Sequence, residues 1–374
     1  MKILYMTLAR IGDRSFGGAM RANYIYDALR EVAEVETLVI HGGPTFSLDE
    51  QMDDRGIRTA LISRWGLSIG ALRQRALLKR WIASAIRLGS YDLIVAQYVG
   101  IAGLVPAGER DRLIFDADDF VKSAVAGTRQ SPADRLKLRV RNLVARRLAR
   151  QALHVWYSNP TPEHSPPSER KSWLPNVVAL PDAERLRLSP TPGRVLMVGF
   201  FSHKPNIDGL RWFCTNVWPD VLASVPEAKL HAVGRYEEAD AASLPCVNFL
   251  GYVPDLPTAY DEAALVIAPV ISGGGTQIKV IDALAHGQPT LVSSFAHAGF
   301  ADDLHDGEHL LVASSPQEWI ERCIWALRSP EQIATVAERG EAIVRRIYGS
   351  ERLKALVKDT IIHLRQSASS RSKL

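Results

Sequence analysis

Residues 268–294 read APVISGGGTQIKVIDALAHGQPTLVSS, and this stretch decides the fold. Just upstream, ALVIAPV (264–270) is a short apolar run rich in β-branched side chains, the pattern of a parallel strand buried on both faces. The chain then turns at Gly273, Gly274 and Gly275, where three residues without a Cβ let the backbone approach an anion closely. Thr276 is placed to cap the following helix, whose free N–H groups and dipole attract negative charge. Lys279 stands in the first turn, a poor place for a lone cation unless an anion is near, and Asp282 follows on the same face. A phosphate between glycines and lysine, with the carboxylate on a sugar hydroxyl, satisfies the whole set. The competing reading is an ordinary Gly-rich βα turn with a solvated lysine and aspartate.

The rest of the chain extends this βα grammar. Its 374 residues, 47% hydrophobic, suit two domains of ordinary size rather than one core. In the first half KILYMTLA, VETLVI, DLIVAQY, RLIFDAD and ALHVWYS read as strands, with helices near 18–33, 71–88 and 134–152. A proline-rich stretch, NPTPEHSPPSER with WLPNVVALPD and LSPTPGR after it, marks the passage to a second domain. There RVLMVGF, AKLHAVG, VNFLGYV, ALVIAPV and PTLVSS read as strands, with one helix over 206–224. Two doubly wound, Rossmann-like α/β domains follow: one over 1–175, a linker over 176–192 and a second over 193–345. The cleft between two such domains is the expected active site. Residues 346–374 read as a helix after a break near Tyr348-Gly349, ending in a frayed tail, SASSRSKL.

Composition narrows the function classes. No apolar run approaches transmembrane length, and MKILYMTLAR meets Arg10 too early for a signal peptide. Cys214, Cys246 and Cys323 lack paired spacing, which argues against a disulfide framework or a cysteine zinc site and favours a cytoplasmic compartment. Residues 1–175 hold 26 Lys and Arg against 18 Asp and Glu, although the whole chain is only +4. Much of that excess lies in 71–87 and 135–150, both without acids and both patterned as amphipathic helices. They suit an anionic membrane surface, such as the inner face of the plasma membrane, or a solvated cationic face. No nucleic-acid module is present, and nucleic acid is set aside.

Two further features face the same chemistry. Gly17 and Gly18 open a helix after the first strand, offering backbone N–H groups to a ligand with Arg21 nearby. RLIFDADDF ends in Asp116, Asp118 and Asp119. Asp118 and Asp119 are candidate hydrogen-bond acceptors at a strand end, the alternative being a plain capped strand end. A metal-binding role for these acids is disfavoured, because the second domain already supplies cations and N–H groups for a diphosphate.

Taken in order, the Gly17-Gly18 loop, DLIVAQ, VGFFSHKPNIDGLRWF, KLHAVGR, NFLGYVPDLPTAY, the Gly273 to Lys279 loop and IDALAHGQPTLVSS resemble retaining glycosyltransferases of the GT-B fold, family 4 branch. GFADDLHDGEHLLVASSPQEW is similar to the segment that follows the donor site in that family. The resemblance implies two Rossmann-like domains facing across a cleft, with the last helix crossing back onto the first. It also implies a nucleoside-diphosphate sugar donor, UDP or GDP, and an acceptor that is lipid-linked or a growing polysaccharide.

Carried over residue by residue, it implies donor diphosphate on Gly273, Gly274, Gly275 and Thr276, neutralised by Lys279. Asp282 takes the place of the glutamate that holds the ribose. His203 and Lys204 supply basic groups after the first strand of the second domain, Arg235 borders the nucleotide, and Tyr252 and Val253 frame the base. Two departures stand out: the family's paired glutamates fall at Gly274 and Asp282, and the frequent histidine at the position of Asp118 is absent. The resemblance further implies no resident metal or cofactor, and catalysis by stabilising the leaving diphosphate through Lys279 and Lys204, with Asp118 near the sugar. The alternatives are a non-catalytic nucleotide-binding scaffold and a sugar-nucleotide epimerase, the latter disfavoured by the want of an acid/base pair.

Overall fold

The computed structural model describes residues 1–371 except 14–16, 44, 49–52, 64–68, 121–131, 163, 183–188 and 274–275. The chain forms two compact units. The first takes the chain up to Asn176 and regains it at Glu351, and the second holds Val177–Ser350.

Eight described strands build the first sheet: β1 (Lys2–Thr7), β2 (Glu34–Gly42), β3 (Ser47–Leu48), β4 (Ile57–Ile62), β5 (Leu93–Gln97), β6 (Leu113–Asp116), β7 (His154–Tyr157) and β8 (Lys171–Trp173). Their order is β3-β4-β2-β1-β5-β6-β7-β8, with every neighbouring pair parallel except β3 and β4. Parallel neighbours need crossovers, which include helices Gly17–Arg30, Ile69–Gly89 and Pro132–Gln151. Leu4, Ile40, Ile94 and Phe115 from the strands meet Ile82 and Leu148 from the helices in one core. Strands β3, β4 and β8 were not expected. β4 is part-buried and carries Arg58 and Thr59, so it lacks the apolar run that marks its neighbours.

Helix Ser350–Arg371 completes this unit by burying Leu353, Val357 and Ile361, spaced along one face. Trp156 Nε1 of β7 donates to Thr360 Oγ1 at 3.3 Å, and Lys358 pairs with Glu31 at 2.7 Å. The helix runs to Arg371, beyond the frayed tail expected from 367 onward, because no Gly or Pro interrupts it after Gly349.

The second unit is a six-stranded parallel sheet of β9 (Arg194–Val198), β10 (Lys229–Val233), β11 (Val247–Gly251), β12 (Leu265–Ala268), β13 (Thr290–Ser293) and β14 (Leu311–Ala313). The order is β11-β10-β9-β12-β13-β14, with the apolar runs of β9 and β12 at the centre. The single helix expected over 206–224 is two, Lys204–Asn216 and Trp218–Ser224. Pro219 cannot donate to the preceding turn, and the break falls at Val217.

Gly209 lets the first of these helices lie directly on the loop after β12, since a Cβ there would stand 2.3 Å from the Pro269 carbonyl oxygen. Gly209→Ala is expected to cost about 1–3 kcal/mol of stability by overpacking. Urea denaturation tests this, and an unchanged midpoint would show that the loop yields.

Candidate functional site

In the second unit the ends of β9 and β10 meet at two glycines. Gly199 N donates to Val233 O at 2.9 Å, and Gly234, at φ +129°, approaches so closely that a Cβ would lie 1.9 Å from Gly199 O. Beside them Asn206 is buried, with Nδ2 donating to Phe200 O at 2.8 Å. Its Oδ1 accepts from Lys279 Nζ, the lysine reaching over from helix Ile278–Ala285. A Cβ on Gly199 would stand 3.5 Å from that ammonium. Among the described residues no carboxylate pairs with Lys279, and burial lowers its pKa to about 7. A part-buried amine with only a neutral amide beside it holds its proton less tightly, and a nearby anion would favour the charged form.

The same helix fixes Asp282. Tyr260, fully buried, donates from its hydroxyl to Asp282 Oδ2 at 2.8 Å. His286 stacks on the Tyr260 ring at 4.6 Å between centroids, and its Nδ1 lies 2.9 Å from Asp282 O. Burial raises the Asp282 pKa against the pull of His286 and the Tyr260 hydrogen bond. Gly273 adopts φ +123°, a conformation that favours glycine, and Thr276 Oγ1 is buried with no hydrogen-bond partner among the described residues. Gly274 and Gly275 lie outside the described residues.

The other expected contacts are spread around this centre. His203 precedes helix Lys204–Asn216, and its pKa is lowered first by burial and then by the charge of Lys279. Lys204 is paired with Asp208 at 2.6 Å and is 82% exposed. Arg235 is exposed over the ring of Phe200, 6.0 Å from its centroid. Tyr252 stands in solvent, and Val253 packs against a small core that includes Tyr260. Asn206, Tyr260 and His286 were not anticipated from the sequence.

In the first unit Gly17 and Gly18 begin helix Gly17–Arg30, and Gly18 O lies 3.5 Å from Gln97 Nε2. Arg21, near this turn in sequence, is committed to the core. It is 1% exposed and forks onto Asp116 through Nε at 3.0 Å and Nη2 at 2.7 Å. Its Nη1 donates to Leu174 O, Pro175 O and Asn176 Oδ1. Burial works against both charges, but the carboxylate's attraction holds the guanidinium above its usual value.

Asp116 is thereby occupied, while Asp118 accepts from Asn176 Nδ2 at 3.0 Å. Asp119 accepts from Val99 N at 3.0 Å, and burial raises its pKa to about 6. Tyr98 sits beside these acids at φ +67°, a conformation that costs a non-glycine residue about 1–3 kcal/mol. Such strain gathers at functional sites, and no sequence signal marked it.

Residues 192–329 match the family described as Glycosyl transferases group 1. This stretch is similar to group 1 glycosyltransferases. It contains Gly199, His203, Lys204, Asn206, Arg235, Tyr252, Tyr260, Lys279 and Asp282, whereas Gly17, Gly18 and Asp118 fall outside the match.

A relative from Klebsiella pneumoniae, an uncharacterized 44.6 kDa protein in the cps region, is 22% identical over 170 residues, 42% of this chain. The alignment spans 43% of that relative, less than half its length. Sucrose-phosphate synthase from Thermosynechococcus elongatus has a similar fold, with TM-score 0.73 at 14% identity over 98% of this chain and 100% of that one. HepE from Anabaena, solved with UDP and glucose, superposes at TM-score 0.66 and 16% identity over 97% and 100% of the two chains. WaaG, a glycosyltransferase involved in lipopolysaccharide biosynthesis, gives 0.66 at 13% identity over 95% and 99%. These likenesses show the GT-B fold.

Proposed function

We propose that the protein moves a sugar from a nucleoside-diphosphate sugar, UDP- or GDP-linked, to a lipid-linked or polysaccharide acceptor with retention of anomeric configuration. The setting would be the synthesis of surface polysaccharide or glycolipid. The observation that carries this reading is Lys279, a part-buried amine held by Asn206 with no carboxylate partner among the described residues, beside the glycine-lined strand ends. Departure of the diphosphate places negative charge there, and a preorganised cation stabilises it without rearranging water. Thr276 Oγ1 and the N–H groups of Gly273–Gly275 would share that charge, and Asp282, fixed by Tyr260, would hold the ribose.

Lys204 would join by exchanging Asp208 for phosphate, with His203 beside it. Arg235 would border the nucleotide, and Tyr252 and Val253 the base. Gly17, Gly18 and Asp118 would serve the sugar and acceptor side. The reading includes no resident metal at the donor. The complex of HepE with UDP-glucose and the cps-region relative support the donor class and the setting.

A thermal-shift screen against UDP, GDP, ADP and their sugar conjugates, with and without magnesium, tests this reading. A ligand at a hundred times its Kd adds about 2.7 kcal/mol. A selective shift with one nucleoside diphosphate, unchanged by magnesium, is the expected result. A shift without donor turnover would favour the scaffold reading, and no shift would remove the donor site.

The acceptor side carries a membrane proposal. No described helix is long and apolar enough to cross a bilayer. Yet helix Pro132–Gln151 exposes Leu136, Val140, Leu143 and Val144, spaced along one face, with Leu143 71% exposed. Arg135, Lys137, Arg139, Arg146 and Arg147 surround them. An apolar stripe in a basic field suits shallow insertion into an anionic leaflet. Leu136→Glu with Leu143→Glu is expected to lower binding to phosphatidylglycerol-containing vesicles roughly tenfold or more. Sedimentation with and without the anionic lipid checks this, and unaltered binding would show that the face is idle.

A further inference from the structure

Apart from the donor residues, the turn that leads into β14 gathers His305, Glu308 and His309, the one His/Glu cluster of ligand spacing among the described residues. One ligand atom from each lies within 4.8 Å of the others. His305 Nδ1 stands 3.4 Å from Glu308 Oε2, and His309 Nε2 stands 3.8 Å from Glu308 Oε1. Ligands bound at ordinary zinc distances around a tetrahedral ion are about 3.3–3.6 Å apart. The cluster is therefore near a coordination shell before any ion enters.

The backbone beneath it is fixed. Gly307 takes φ +74° and donates to Leu310 O at 2.8 Å, while His309 N donates to His305 O at 3.0 Å. Asp306, the remaining acid of the turn, is engaged by Val312 N and Arg322. It leaves the ligand set at two imidazoles and one carboxylate. His309 is 7% exposed, whereas His305 and Glu308 open to solvent, so the set has a closed floor and an accessible mouth.

We propose that His305, Glu308 and His309 form a three-ligand site for a divalent transition-metal cation of the zinc type. Two nitrogens and one carboxylate with an open position suit zinc better than magnesium, which prefers six oxygens. Arg339 and Arg346 are the cations that act on His309, and Glu308 is the opposing acid. Ligation has a cost. His309 Nδ1 accepts from His305 N at 2.9 Å, so binding through Nε2 needs the other tautomer and gives up that hydrogen bond. The arginines also oppose the cation's charge. Both costs select for a strongly bound transition metal over a weakly held alkaline-earth ion.

The site braces a junction. At Gly340, on helix Pro330–Ile347, a Cβ would stand 2.2 Å from His309 O and 2.8 Å from Leu284 Cδ2. Leu284 belongs to the helix that carries Lys279 and Asp282, so the turn and that helix lean on one glycine. The inference does not depend on the donor reading.

The test is calorimetric titration of the chelator-treated intact protein with zinc, with magnesium as control, alongside thermal denaturation. Wild type is expected to take up a single zinc and to melt at higher temperature with it, magnesium having no such effect. His305→Ala and Glu308→Gln, both at solvent-open positions, are each expected to weaken zinc binding roughly tenfold or more while leaving the metal-free melting temperature unchanged. Absence of zinc uptake by wild type would overturn the proposal. Equal affinity in wild type and both variants would overturn it too, by placing the ion elsewhere.

Discussion

Lys279→Ala is expected to slow sugar transfer by about two orders of magnitude, equivalent to roughly 3 kcal/mol of lost transition-state stabilisation. Nucleoside diphosphate binding should weaken with it. The ammonium is already in place, held by Asn206 and closed in by Gly199, so its loss removes a preorganised charge. Its pKa of about 7 adds a signature. Below that value the amine is charged before the ligand arrives, and affinity should be level with pH. Above it each unit of pH leaves fewer molecules protonated, so affinity should fall toward tenfold per unit, with a proton taken up on binding. Calorimetry in buffers of differing ionisation enthalpy measures that proton directly. A flat profile from about pH 6 to 9 would show that Lys279 does not meet the diphosphate.

The same residue links function to stability. Folding lowers this amine from its ordinary value, so between about 7 and 10.4 the unfolded chain binds more protons than the folded one and stability rises with pH. At and below about pH 7 the cost of burying the charge is present in full. Lys279→Met should therefore raise the melting temperature at neutral pH, and the gain should shrink as pH approaches 10. A variant that is more stable and less active separates loss of chemistry from loss of fold.

Arg21→Met is expected to destabilise the first unit by about 3–5 kcal/mol, the usual consequence of leaving one member of a buried ion pair alone. Here the orphan is Asp116, fully buried at the end of β6, and the carbonyls of Leu174 and Pro175 lose their donor as well. Asp116→Leu in the same chain should recover part of the loss, since a matched apolar pair leaves no charge in the core. Guanidinium denaturation of the single and double variants reads this out. A single variant as stable as wild type would mean that water reaches the pair.

Much of the architecture is legible in runs such as RVLMV and LVIA, where burial on both faces leaves no polar residue to confuse the pattern. The three-residue β14 and the half-exposed β4 lack that signal and were missed. The segment from Gly273 to Asp282 could be picked out as a candidate site because its glycines, Lys279 and Asp282 are close in sequence. Their supports were not. Asn206 meets Lys279 across 73 positions, Tyr260 meets Asp282 across 22, and Arg21 meets Asp116 across 95. A basic residue near a Gly-Gly turn looks like an anion ligand until the fold reveals which carboxylate occupies it.

The placement of helix Ser350–Arg371 orders events during synthesis. The second unit is contiguous from Val177 to Ser350 and can finish folding while the chain is still being made. The first unit starts earlier but lacks the helix that bonds Trp156 and supplies Leu353, Val357 and Ile361 until Ser350–Arg371 has been made. Until that helix emerges the nascent chain carries an uncovered apolar surface on its first unit, and a chain stopped before Ser350 would keep that surface exposed, making it a substrate for chaperones and proteases.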